Sequence, residues 1–544
     1  MASSGDHSIR ERSLQKRVAA LVPAPLTTVA ALVAVLLLSP LAWVLLRAAE
    51  VDVDRALALL LSADTVTIAL NSLLLVGLVT LGGVLIGVPL AFLTVQTDLP
   101  FRRGFTILGA LPLVVPSYIG AFAFVSAFGP RGELQGILAP LGIEEIPAIY
   151  GLPGTVVVLT LFTYPYVFLT TRAALLSVDG TAVEAARTLN HDRLGAFRHV
   201  TLPQIAPGIA AGGLLTALYT LSDFGTPMIM RYDVFTRMIF VEYNRNFNAG
   251  LASLLSLLLL AITVAILYWE SRLGASREGA HVSSGSRRPG RVALGRWRWP
   301  AVGFCGLVAV LGVLLPLAIL GMWLFLTAPG YAAGGFPFEW AQAINSLTLS
   351  GAAAVGAVVL GLPVAYLAAR GKSRWAQLPE RATYVGYAMP GVVLGLSLVF
   401  LGLKYVHVLY GTVVLLVFAY VVRFIPQAVG TMQSSILQVD PKHVDAARTM
   451  GDSSFVSFFR VELPQILPGV LSGAALVFLT TMKELPATLM LAPLDFEGTL
   501  VTYIWSVQEA GYYGQAALPA LVLVGISGLS MLLILHQERY HGTE

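Results

Sequence analysis

Apolar residues in this chain neither alternate nor recur on one helical face. They run on for about 20 residues at a time, the length a helix needs to cross the hydrocarbon core of a bilayer. The first run, Leu26 to Leu46, follows Arg10, Arg12, Lys16 and Arg17. It is longer than the roughly 7 to 15 apolar residues of a signal peptide, so it reads as a retained helix. Further runs fall near residues 66–95, 105–128, 152–171, 205–222 and 250–269, and a second set of six near 301–327, 346–369, 382–403, 409–428, 468–482 and 516–535. The pattern predicts an all-α polytopic membrane protein with about twelve transmembrane helices in two parallel six-helix repeats. Its expected organisation is a cytoplasmic tail over 1–25, a first domain over 26–270, a cytoplasmic linker over 271–300, a second domain over 301–536 and a cytoplasmic tail over 537–544.

Charge placement sets the orientation. With the N-terminus in the cytoplasm, the inner segments collect Arg102, Arg103, Arg187, Arg193, Arg198, Arg370, Lys372, Arg374, Lys442, Arg448 and Arg460. The outer segments keep chiefly Arg55, Arg131, Arg231, Arg237, Arg245 and Lys404, as the positive-inside bias requires. Composition agrees: 56% of the 544 residues are hydrophobic and 12% charged, with mean hydropathy +0.78. A soluble domain carries about 25% charged residues. The net charge of +4 therefore reports topology and calls for no nucleic-acid partner. The Gly-, Ser- and Arg-rich linker suits anionic lipid beside two spans. Cys305 is the single cysteine, which excludes a disulfide framework and a thiolate cluster.

The chain repeats itself. NSLLLVGLVTLGGVLIGVPLAFL from Asn71 matches NSLTLSGAAAVGAVVLGLPVAYL from Asn345 at an offset of 345 − 71 = 274, which also maps Pro116 onto Pro390. VEAARTLNHDRLGAFRHVTLPQIAPGI from Val183 matches VDAARTMGDSSFVSFFRVELPQILPGV from Val444 without a gap, at 444 − 183 = 261. Chance among apolar helices could produce the Asn-Ser pair, whereas the long polar match requires duplication. An even number of spans per copy inserts both copies in one direction, with a pathway expected at their interface.

The most distinctive polar segment lies between the fourth and fifth spans of each copy and reads as two short helices around a turn. Thr181 with Glu184 forms a capping-box pattern; the second copy has Asp440 as N-cap and Pro441 at the first helical position. The first helices stop at Asn190 and Gly451, residues that tolerate the left-handed conformation. Pro207-Gly208 and Pro468-Gly469 are expected to open the next spans. The alanines of such a ridge permit close approach to a cytoplasmic partner.

This pattern resembles the EAA loop of ABC importer permeases, and both halves look like the binding-protein-dependent (MetI-like) permease domain fused head to tail. The resemblance implies that Glu184, Ala185, Ala186, Arg187, Asn190, Leu202 and Pro203 form one ATPase-coupling loop, and Asp445, Ala446, Ala447, Arg448, Gly451, Leu463 and Pro464 the other. Asn190 stands where the family has glycine, and Asp445 where it has glutamate. The implied partners are two copies of a separate ABC ATPase and an extracytoplasmic substrate-binding protein, in the cytoplasmic membrane. ATP would be used by the partner, with no cofactor on this chain. Glu184→Lys or Ala447→Trp is expected to uncouple hydrolysis from uptake.

The chain carries no GxxxxGK[ST] motif of its own. In Arg370-Gly371-Lys372-Ser373, Tyr366 occupies the first glycine's place, and the string reads as a basic cap on a membrane helix. Histidines including His191, His199 and His443 form no spaced cluster, so no metal site is expected, and the apolar spans assemble no catalytic group. Asp223 maps onto Glu484 (484 − 223 = 261), and such a pair could ease a hard cation along the pathway. SDFGTPMIMRYDVFTRMIF, KELPATLMLAPLDFEGTLVTYIW and the insert near GPRGEL resemble fused ferric iron permeases. Fused twelve-span permeases for thiamine share the architecture, and permeases for sulfate or molybdate share the loops. An ion-gradient transporter would need carboxylates at mid-membrane, whereas those here fall at span ends and in loops.

Overall fold

The computed structural model describes residues 24–128, 149–178, 180–189, 192–275, 291–325, 338–371, 373–493 and 496–541. The outer insert near GPRGEL, most of the linker, Lys372, His191 and Asn190 lie outside them. Among the described residues 10 helices are long and apolar enough to cross a membrane: Leu26–Ala49, Ala63–Gln96, Gly151–Ser177, Phe197–Ser222, Ala249–Tyr268, Gly295–Trp323, Trp340–Arg370, Val413–Gln438, Ser454–Met482 and Tyr513–Ser530. They match ten of the twelve expected spans. Where continuous third and ninth spans are expected stand two sharply bent helix pairs, each a broken span or a re-entrant loop: Arg102–Leu113 meets Ser117–Phe128 at 96°, and Trp375–Ala388 meets Gly391–Lys404 at 102°. Proline causes both breaks. Pro116 and Pro390 lack an amide hydrogen and hold the preceding residue away from helical geometry; Met389 has ψ 116°. Each proline's carbonyl then opens the second limb, accepting from Ile119 and Gly120 in one copy and from Val393 and Leu394 in the other.

Two further corrections concern helix starts. The fifth and eleventh spans begin before Pro207-Gly208 and Pro468-Gly469, and both prolines lie inside them. Pro203 and Pro464 stand in the first turn of the regular helix, and the turn before each widens so that Leu202 N–H reaches the Phe197 carbonyl and Leu463 N–H that of Phe458. Thr181 is not ahead of its helix, which runs Gly180–Thr188, but inside its first turn. The counterpart of Asp440 is residue 440 − 261 = 179, outside the described residues.

The chain forms two compact units that exchange segments between the sequence halves. Of the described residues, one unit gathers those up to Arg47, Trp340–Val501 and those from Leu529; the other gathers those within Ala48–Glu339 and Thr502–Gly528. In the first, the initial span packs on the ninth: Ser397 Oγ donates to the Pro40 carbonyl, Trp43 lies 4.5 Å from Tyr405, and the Arg47 guanidinium sits 5.2 Å over Phe400. In the second, Ala301, Cys305 and Val308 of the seventh span join a core with Leu90, Tyr164 and Phe168.

The Asn-Ser pair makes the same bonds in both copies. Asn71 Nδ2 donates to the Asp233 carbonyl (3.0 Å) while Ser72 Oγ accepts from Phe235 N–H (3.1 Å). Asn345 donates to the Gly498 carbonyl (3.1 Å) and Ser346 accepts from Leu500 N–H (2.9 Å). Each pair satisfies the start of a following helix, Phe235–Asn244 or Leu500–Glu509, whose first amides have no intrahelical partner.

Candidate functional site

Two hairpins carry the residues expected to form the coupling loops. The second is described most fully. Asp440 accepts from Lys442 N–H (3.0 Å) and starts the helix Pro441–Thr449. Gly451, at φ +104°, closes it: its own amide bonds Arg448 O, and the amide of Asp452 bonds Ala447 O. A side chain at that φ is strained, which is why glycine ends this helix. Ser453 then caps Ser454–Ser457 by accepting from Val456 N–H (3.3 Å).

Asp445, Ala446 and Arg448 are exposed, whereas Ala447 is buried where the helix packs on the widened turn Phe458–Glu462. The first hairpin repeats this division. Glu184 and Ala185 are exposed and Ala186 is buried, while Asn190 and the Arg187 side chain lie outside the described residues. Only the second alanine of each pair therefore serves close packing, and it serves the hairpin itself. Leu202, Pro203 and Pro464 are exposed where the chain leaves each hairpin, and Leu463 is half-buried. A sequence pattern built on EAA alone misses the exposed apolar side chains: Leu189 on the first hairpin, Met450 and Phe455 on the second. Each hairpin leans on a span through one aromatic pair, Phe92–Phe197 at 5.5 Å and Tyr366–Phe458 at 6.0 Å.

Asp223 and Glu484 are buried, at 8% and 5% exposure, and occupied by hydrogen bonds. Each follows the fifth span of its repeat and caps a short helix packed on the second limb of a bent pair. Asp223 accepts from Thr226 N–H (2.9 Å) at the helix Gly225–Ile229 and from the Ser117 hydroxyl, which also accepts from Tyr219 OH (3.1 Å). Glu484 accepts from Ala487 N–H (3.2 Å), Thr488 N–H (3.1 Å) and Thr488 Oγ1 (3.0 Å) at the helix Pro486–Leu491. It also pairs with Arg423 Nη1 at 2.9 Å.

The repeats build this corner with different side chains. By the offsets, Arg423 corresponds to Phe162 (423 − 261) and Gly391 to Ser117 (391 − 274). A methyl on Gly391 would overlap the Arg423–Glu484 pair, and a methyl on Gly120 would overlap the Phe162 ring. The glycine has moved by one helical turn with the bulk it accommodates.

Close packing of the fourth and fifth spans rests on Gly208 and Gly212 in one copy and Gly469 and Gly473 in the other, a small-xxx-small spacing readable in the sequence. An added methyl would stand 2.5 Å from Val167 Cα at Gly212 and 2.9 Å from Ala428 Cα at Gly473. Among the described residues no three of His, Cys, Asp and Glu come together to hold a metal ion.

Duplicated spans, two prolines at the same bend in each copy, and a hairpin per copy with exposed apolar side chains define a duplicated multi-pass membrane protein. The chain belongs to the family described as the binding-protein-dependent transport system inner membrane component, whose model matches residues 83–269 and 357–539. The expected permease resemblance is thereby established for both halves. Among its relatives, the Fe(3+)-transport system permease protein FbpB 2 of Haemophilus influenzae is 31% identical over 94% of this chain and 97% of its own length. The ferric transport system permease protein FbpB of Actinobacillus pleuropneumoniae is 24% identical, covering 84% of this chain and 68% of that one. The sulfate transport system permease protein CysT of Salmonella typhimurium is 27% identical over 35% of this chain and 70% of its own.

Proposed function

We propose that this chain is the membrane-spanning half of an importer for ferric iron, worked by a separate ATPase that seats on the hairpins 180–201 and 440–462. The observation that carries the reading is the end-to-end match, 94% of one chain and 97% of the other, to a relative named for Fe(3+) transport. Exposed Glu184 with exposed Leu189 on one hairpin, and exposed Asp445 with exposed Met450 and Phe455 on the other, support the docking role: each hairpin offers a partner both a carboxylate and apolar surface. An extracytoplasmic binding protein delivers the cation, and both termini lie on the ATPase side. Binding and hydrolysis of ATP bias the permease between two states through differential contacts at the hairpins. Asp223 and Glu484 shape the path through the bent pairs they fasten, their oxygens being occupied already.

The test is copurification with the ATPase and binding protein, followed by uptake of labelled ferric iron into proteoliposomes against thiamine and sulfate. ATP-dependent iron uptake is the expected result. Sulfate or thiamine uptake without iron would overturn the substrate, and ATP hydrolysis by the isolated chain would overturn the division of labour.

A further inference from the structure

The second hairpin is closed at its base by one guanidinium. Arg370 ends the span Trp340–Arg370, and its Nη2 donates both to the Val439 carbonyl (3.1 Å) and to Glu462 Oε1 (3.1 Å). Tyr366, one turn earlier, donates its hydroxyl to Glu462 Oε2 (3.0 Å). Val439 is the last residue before Asp440, and Glu462 the last before Leu463-Pro464. Both feet of the hairpin are thus tied to a single helix that is not part of it. Glu462 is 1% exposed and Arg370 19%, so water does not screen the pair as it would at a surface.

At the four corresponding positions the first repeat carries other residues. These are Gln96 (370 − 274), Phe92 (366 − 274), Val178 (439 − 261) and Thr201 (462 − 261), which include neither a guanidinium nor a carboxylate. The end of the second span is tied elsewhere: the Gln96 carbonyl accepts from Val292 N–H (2.8 Å) and Asp98 Oδ1 from Leu294 N–H (2.8 Å), in the chain that leads into the seventh span.

We propose that Arg370 and Glu462, with Tyr366, are positioning residues that make the second hairpin move as one body with the eighth span. The two hairpins are mechanically unequal: a push on the second is transmitted into the membrane directly, and the first gives locally before it transmits. The inference rests on reading the hairpins as ATPase docking sites.

Its test uses the full chain in nanodiscs with its copurified ATPase. Glu462→Gln removes the charge and keeps the shape. The combination Arg370→Gln, Glu462→Thr and Tyr366→Phe installs the first repeat's own residues, a set this fold already accommodates. Amide exchange over 441–461 is expected to quicken by at least about tenfold, the factor carried by one charge-assisted hydrogen bond, with 181–201 unchanged. Substrate imported per ATP should fall several-fold while the ATPase stays bound, and Arg370→Lys should recover part of both. Unchanged exchange and unchanged import per ATP would overturn the clamp, as would equal loosening of both hairpins, the mark of general destabilisation. Failure of the wild-type chain to retain any ATPase sinks the docking reading instead, and the exchange measurement alone then decides the clamp.

Discussion

Gly391→Ala adds one carbon, and the geometry around it turns that carbon into a large perturbation. The new methyl would overlap Arg423 Nη1 and Glu484 Oε1 and stand 2.8 Å from Pro486 Cγ. The guanidinium is the flexible end of its side chain, but moving it aside breaks a 2.9 Å pair with a carboxylate only 2% exposed. The proline ring has no rotamer to escape into. Breaking a buried pair costs about 3–5 kcal/mol, because the remaining charge is left without compensation. Against this stands at most about 1 kcal/mol gained when alanine replaces glycine in a helix. A net loss of about 2–4 kcal/mol is expected, measured as unfolding free energy in mixed micelles. Gly351→Ala is the control: it lies within the span Trp340–Arg370 with nothing within 4 Å of its added methyl, and it should be neutral or stabilising. In an Arg423→Leu background the alanine should cost less, with a coupling energy above about 1 kcal/mol. If Gly391→Ala and Gly351→Ala agree to within about 0.5 kcal/mol, the pair is not braced against Gly391 and the reasoning fails.

Ala446→Trp, on an exposed position, should leave exchange protection of the hairpin intact and abolish ATPase retention on a column; Ala447→Trp, at a buried one, should first unfold the hairpin. The reverse order of effects would put the docking face on the other side of the helix. Gly473→Leu forces the fourth and fifth spans of its repeat apart and should lower unfolding free energy by about 1–3 kcal/mol or more, with Gly212→Leu doing the same in the other copy. Thermal unfolding of the two variants, compared with Gly303→Ala where the methyl meets open space, checks this. Ser346→Ala strands the Leu500 amide, at about 1–3 kcal/mol, and should quicken hydrogen exchange at Leu500 specifically.

Ten of the spans, the duplication and the hairpins were legible along the chain, because each is a local property. A run of apolar residues reports the solvent around that segment, an offset reports ancestry, and Asp440-Pro441 with Gly451 reports where a helix must begin and end. The Asn-Ser pair was visible too, as a coincidence without a task; its bonds reach 162 residues away in one copy and 153 in the other. Proline positions marked the breaks only once the 96° and 102° bends showed that no continuous helix spans them.

Everything that depends on which distant segment lies opposite was decided by packing. No spacing rule joins Arg370 to Glu462 across 92 residues, Arg423 to Glu484 across 61, or Pro40 to Ser397 across 357. Nor does periodicity say that Ala447 faces inward and Ala446 outward on a helix of nine residues whose neighbours are both polar and apolar. In lipid a buried charge must find its partner inside the protein. The residue types announced that partners exist, and only the folded arrangement of the spans chose them.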